Sequence, residues 1–170
     1  MNMEKSQTLS SATGTRKRHY PASLDAMKMA PESIMRMMDK ERITERGGHT
    51  ILVVSFDHDA IRFKEDAMRH FGYRVKSAST FEEATKIFKD GGISLILSEC
   101  HMPEINAISM LRAYTDHAED AKVILVTSRK VDGNGVGLLM NCGAVEVIEK
   151  PYKLANLVSA IDAHLAVAQP

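Results

Sequence analysis

Two cysteines in 170 residues are too few for a disulfide framework and suit a reducing compartment. Apolar runs such as Ile51–Val54 and Leu95–Leu97 fall far short of the roughly 20 residues a bilayer span needs. No apolar core followed by a small-residue cleavage site opens the chain, so no secretory signal is expected. Neither sign of charge prevails: 22 Lys and Arg face 22 Asp and Glu. That balance argues against a surface built for nucleic acid or anionic lipid. What is present is ordinary for a soluble globular protein, expected from its few cysteines to be cytoplasmic: 44% hydrophobic and 26% charged residues, at a length that favours one domain plus an extension.

Charge and methionine divide the chain unevenly. Residues 1–48 carry nine basic and six acidic side chains, and residues 49–170 carry thirteen and sixteen. Seven of the eleven methionines precede residue 49. The first 24 residues are rich in Ser, Thr and Arg and have no apolar period, as a solvated tail would. Its Arg16–His19 basic cluster offers few phosphate contacts. Residues 31–43 read as an amphipathic helix: Pro31 suits the first helical position, Glu32 suits the helix dipole, and Ile34, Met35 and Met38 share a face. That stripe is expected either to dock on a partner or to fold back on its own domain. Gly47-Gly48 reads as a joint, which sets the expected boundary between an extension, 1–48, and a domain, 49–170.

Beyond the joint, strands and helices alternate. Ile51–Val54, Tyr73–Ala78, Ile93–Ser98, Val123–Val126 and Val145–Ile148 read as strands. Ala60, Phe63, Ala67, Met68 and Phe71 recur at helical spacing up to Gly72. Thr80-Phe81-Glu82-Glu83 is a capping box ahead of Ala84, Ile87 and Phe88. Asn106 can cap a helix that turns Ala107, Met110, Leu111 and Tyr114 inward, and Cys142 reads as a small core residue. Gly133, Gly135 and Gly137 each cost a helix about 1 kcal/mol, so 132–142 reads as a loosened helix rather than a phosphate loop, which would follow the first strand. Leu154, Leu157, Val158, Ile161 and Leu165 form the last apolar stripe. Five such units in about 120 residues imply a parallel sheet with helices on both faces, and chemistry beyond the carboxyl ends of its strands.

Those ends carry Ser55-Phe56-Asp57-His58, Glu99-Cys100-His101-Met102-Pro103, Thr127-Ser128 and Glu149-Lys150-Pro151. Together with Ile51–Val54, Phe71-Gly72-Tyr73, Leu95–Leu97 and Gly143-Ala144, in this order and spacing, they make residues 50–167 resemble the receiver domain of bacterial two-component response regulators. The resemblance implies a flavodoxin-like α/β fold, doubly wound, with five parallel strands in the order 2-1-3-4-5 and five helices. In that family a strand-three aspartate accepts a phosphoryl group from a histidine kinase, and two acids after strand one hold Mg²⁺. A hydroxyl after strand four and a lysine after strand five bind the phosphoryl oxygens. Carried over by position, Glu99 stands for the phosphoacceptor, Ser55 and Phe56 for the metal-binding acids, and Thr127 and Lys150 for the phosphoryl-binding pair. Asp57 follows one position late; a one-residue slip would bring it into the pocket but misplace the apolar strand. Val147 holds the aromatic switch position, and Pro151 matches a proline that follows a cis peptide.

The resemblance therefore implies a degenerate receiver, or pseudo-receiver. It would lack a metal and enzymatic activity, and would act by docking on signalling proteins, either a histidine kinase or a downstream effector. Its contact surfaces would include Ile34, Met35 and Met38, and homodimers are conceivable. Glu99 is expected either to pair with Lys150 as a standing charge or to be a remnant. No output domain is expected after the fifth helix. The alternative is a phosphorylatable single-domain regulator of a phosphorelay, using Asp57 or Glu99 and then Mg²⁺. Asp57, His58, Glu99, Cys100 and His101 could approach one strand-end surface, yet they come from two loops without metal-ligand spacing, and the histidines read better as surface residues.

Overall fold

The computed structural model describes residues 46–117 and 120–167. The expected helix over 31–43, with Ile34, Met35 and Met38, and the Arg16–His19 cluster lie outside the described residues. Five parallel strands, β1 (Thr50–Val54), β2 (Arg74–Ala78), β3 (Leu95–Glu99), β4 (Lys122–Thr127) and β5 (Ala144–Glu149), form a sheet in the order β2-β1-β3-β4-β5. They alternate with helices α1 (His58–His70), α2 (Phe81–Lys89), α3 (Ala107–His117), α4 (Gly133–Asn141) and α5 (Leu154–His164). The expected architecture is the one found.

Side chains alternate along each strand, so the two sheet faces collect different residues. Leu52, Val54, Ile96 and Leu125 pack with Phe88, Met110, Leu111 and Tyr114, which places α2, α3 and α4 on one face. Ile51, Val53, Leu97 and Val126 pack with Met68, Phe71, Leu157 and Ile161, which places α1 and α5 on the other. β1 and β3 are buried along their whole length, as strands covered on both sides must be.

Local chemistry fixes the helix starts. Asp57 caps α1 by accepting the Asp59 and Ala60 N–H groups, and Thr80 caps α2 by accepting from Glu83. The Glu83 carboxylate closes the turn by accepting from the Ser79 backbone and hydroxyl at 2.8 and 2.9 Å. Three glycines do not abolish α4, which Asp132 caps and Leu139 anchors in the core. Cys142 is its C-cap and is half-buried. Gly143 has φ +115°, and a Cβ there would lie 2.3 Å from the Thr115 methyl group, so only glycine lets β5 start this close to α3.

A buried ionic cluster closes the end of the domain remote from the strand tips. Arg46 is fully buried between the C-terminal ends of α1 and α5. Its guanidinium makes a two-pronged contact with Asp162, Nε–Oδ1 2.9 Å and Nη2–Oδ2 2.5 Å. It also lies 5.6 Å from the ring centres of Phe71 and Tyr73, and the Tyr73 hydroxyl donates to Asp162. Arg46 thus belongs to the packed unit, three residues ahead of the boundary expected at 49.

Two predictions follow from this packing. Arg46→Met leaves the Asp162 carboxylate buried without its guanidinium, and urea denaturation should show a loss of about 3–5 kcal/mol, largely recovered by adding Asp162→Asn. The second concerns alkaline pH. Burial, reinforced by Asp162, raises the Tyr73 phenol, and burial pushes Tyr114 up to about 12 against an opposing hydrogen bond from Ser98. Both groups hold their protons more tightly folded than unfolded. Their contribution is therefore complete below pH 10 and is lost as pH climbs beyond it, by up to about 3 kcal/mol for Tyr114. Tyrosinate absorbance and circular dichroism followed together should show these two phenols ionising as the fold is lost, and Tyr114→Phe should flatten the alkaline slope.

Candidate functional site

The carboxyl ends of β1, β3, β4 and β5 converge on one small cluster. Cys100 N–H donates to the Val126 carbonyl and Lys150 N–H to the Thr127 carbonyl, both at 2.7 Å, which ties the ends of β3, β4 and β5 together. Glu99, the last residue of β3, is 7% exposed. Its Oε1 accepts from Lys150 Nζ at 2.8 Å, so the expected Glu99–Lys150 pair is present in the geometry. The peptide bond after Lys150, to Pro151, is cis.

The same oxygen accepts from a second ammonium, Lys64 Nζ, at 2.6 Å. Lys64 lies on α1 and is 2% exposed. Burial pulls its pKa down, and the charge of Glu99 and the hydrogen bond to it oppose the shift; Asp57 adds a weaker attraction. Sequence reasoning missed this residue although the signal was there. Ala60, Lys64, Ala67, Met68 and Phe71 fall at spacings of three and four, so Lys64 is a charge placed on the buried stripe of its helix. Asp162, partner of Arg46, interrupts the apolar stripe of α5 in the same way, four residues after Val158.

The loop after β1 offers the cluster little. Ser55 is fully buried, and its Oγ accepts the Asp57 N–H at 3.2 Å. Phe56 is 53% exposed. Asp57 is exposed, its carboxylate spent on the N-terminus of α1, so no slip of register has brought it into the place of an inner acid. Thr127 is buried, and its hydroxyl closes a local turn, donating to the Arg129 carbonyl at 3.0 Å and accepting the Arg129 N–H at 3.1 Å. Glu149 Oε1 accepts the Val131 N–H, joining β5 to the same loop. Val147 is half-buried against the α2–α4 face of the core.

These residues do not fit Mg²⁺. The ion needs several hard oxygen ligands in near-octahedral array. Here one position offers a neutral hydroxyl, one a phenyl ring and one a carboxylate turned to a helix end, while an ammonium already lies against Glu99. Nor does the structure bring together the His/Cys/carboxylate set considered from the sequence: no group of three such side chains able to hold a metal occurs among the described residues. Burial, and then the Glu99 charge, raise the Cys100 thiol pKa, against a smaller effect of Arg129, so it is not an activated thiolate. A cleft of about 310 Å³ opens beside the two lysines, walled by Ala60, Phe63, Tyr152 and Leu154. No helix among the described residues is long and apolar enough to cross a membrane.

Comparison with known proteins agrees with this architecture. The family model of the response regulator receiver domain matches residues 51–162. The response regulator receiver protein CpdR of Brucella abortus is 29% identical over 121 residues, covering 69% of this chain and 98% of the relative. The transcriptional regulatory protein PrrA of Mycobacterium bovis is 29% identical over 116 residues, covering 68% of this chain and 49% of that protein, so the match spans about half the length of such relatives. Among solved structures, the CheY-like response regulator receiver domain protein of Methanospirillum hungatei superposes with a TM-score of 0.65 at 23% identity, over 69% of this chain and 94% of the other. With a doubly wound sheet in the order 2-1-3-4-5 and a family match across all five of its strands, the chain belongs to the response regulator receiver domain family.

Proposed function

We propose that this chain is an atypical receiver module of two-component signalling, a pseudo-receiver that is not phosphorylated in the usual way and acts by protein–protein docking in the cytoplasm. The observation that carries the reading is the state of Glu99: the acid at the phosphoacceptor position is buried, and one of its oxygens is engaged by two ammonium groups. Phosphoryl transfer depends on a placed nucleophile and on cationic charge over the equatorial oxygens, most of it supplied by a metal. Glutamate sets its carboxylate farther out than aspartate by one carbon–carbon bond, about 1.5 Å. A preorganised site tolerates about 0.5 Å. Thr127, which would bind the phosphoryl oxygens, is committed to its own turn.

In this reading Glu99 is a standing charge. Its pairs with Lys64 and Lys150 tie α1, β3 and the loop after β5 into one arrangement, much as a phosphoryl group would recruit the lysine. Val147 has no ring to swing between core and surface, which agrees with a module that does not switch by that route. Its partners would be signalling proteins, a histidine kinase or a downstream effector. Leu138 and Met140, 50% and 42% exposed on α4, offer apolar side chains for such contacts.

Two measurements test the reading. Incubation with a small phosphodonor and Mg²⁺, followed by intact mass spectrometry, should leave the protein without a phosphate adduct; a stable adduct on a carboxylate would end the proposal. Glu99→Gln leaves two ammoniums facing a neutral amide. It should lower stability by about 3 kcal/mol in urea and weaken binding to the docking partner; unchanged affinity in the folded variant would reduce Glu99 to a structural residue.

A further inference from the structure

We propose that the Lys64 ammonium is the resident cation of this pocket: it holds the place that a divalent metal shared by β3 and the β1–α1 loop would need, and it excludes one. The inference rests on the reading of the pocket as unphosphorylated, and it adds the reason that such a pocket is stable without metal.

The geometry gives three supports. Lys64 and Lys150 reach the same Glu99 oxygen from different elements, α1 and the loop after β5, at 2.6 and 2.8 Å. Lys64 comes from α1, the helix that the loop after β1 enters, whereas Lys150 comes from the loop after β5, on the other side of β3 in the sheet. Finally, Lys64 is 2% exposed and leaves an apolar helix face to reach the carboxylate. Burying a lysine is costly, and the cost is recovered only by a partner of opposite charge. A divalent cation brought to Glu99 would meet two like charges at once, both already hydrogen-bonded to its Oε1. Ser55 and Phe56, which offer no carboxylate, and Lys64, which supplies an ammonium to Glu99, therefore belong to one arrangement. With that lysine in place, restoring the acids alone is not enough to restore a metal site.

The full chain allows a direct test with Mn²⁺ as the probe, its binding read by water-proton relaxation. Wild type and the Ser55→Asp/Phe56→Asp variant are expected to bind Mn²⁺ at least tenfold more weakly than the Ser55→Asp/Phe56→Asp/Lys64→Met variant. Circular dichroism verifies that each is folded. Should the methionine variant not fold, Lys64→Gln in the same background, neutral but able to donate to Glu99, replaces it with the same expectation. Equal affinity of the two acid-restored proteins, or tight Mn²⁺ binding by wild type that broadens amide resonances around Glu99, would overturn the proposal. The result is separable from the phosphodonor experiment. An adduct formed without any divalent cation would end the reading of an unphosphorylated pocket while leaving Lys64 as its cation. Tight Mn²⁺ binding without an adduct would do the reverse.

Discussion

The strand-end site of this domain depends on one carboxylate taken out of water. Glu99 ends a strand buried on both faces, and a lone anion there would be too costly to keep. Two lysines satisfy it, and each imposes an order on the fold. One must come from the second turn of α1, which fixes how that helix seats against the sheet. The other must come from the loop after β5, which fixes how α5 begins. The net stabilisation of such a cluster is modest because desolvation opposes attraction, but the geometry it enforces is specific.

The opposite end of the domain repeats the solution with different chemistry. Arg46, Asp162 and Tyr73 form a buried guanidinium–carboxylate–phenol cluster between the last turns of α1 and α5. The same two helices are therefore fastened to each other at one end, while Lys64 of α1 and the loop that leads into α5 are fastened to the strand tips. Between these ends their contact is apolar, through Met68, Leu157 and Ile161.

Much of this was legible in the sequence. Short apolar strands, the Thr80–Glu83 cap and the stripes of three- and four-residue spacing give the alternation of elements, because each rests on local or periodic physics. Strand-end positions were legible for the same reason: Ser55, Glu99, Thr127 and Lys150 follow the strands that place them. What periodicity did not yield was the partner of each buried charge. Lys64 and Asp162 were passed over because a stripe is read by its apolar members, although a charge on the stripe is the more informative residue. Arg46 was assigned to the extension because Gly47-Gly48 looks like a joint. A two-glycine turn says that the chain bends, and does not say that what precedes it is loose. Side-chain direction was also invisible: nothing in the sequence says that the Thr127 hydroxyl folds back on Arg129 or that Asp57 faces the helix end.

The Arg46 clasp has a geometric consequence for whatever precedes it in the chain. The described chain enters the domain at the pole opposite Glu99, where the Arg46 side chain is held between two helix ends, rather than over the strand tips. Anything tethered upstream thus starts its reach at the opposite pole of the sheet from the strand tips that hold Glu99, and β3, at five residues, makes that separation roughly 15 Å. The point of entry sets a radius of action: only a segment longer than that separation can reach the strand tips.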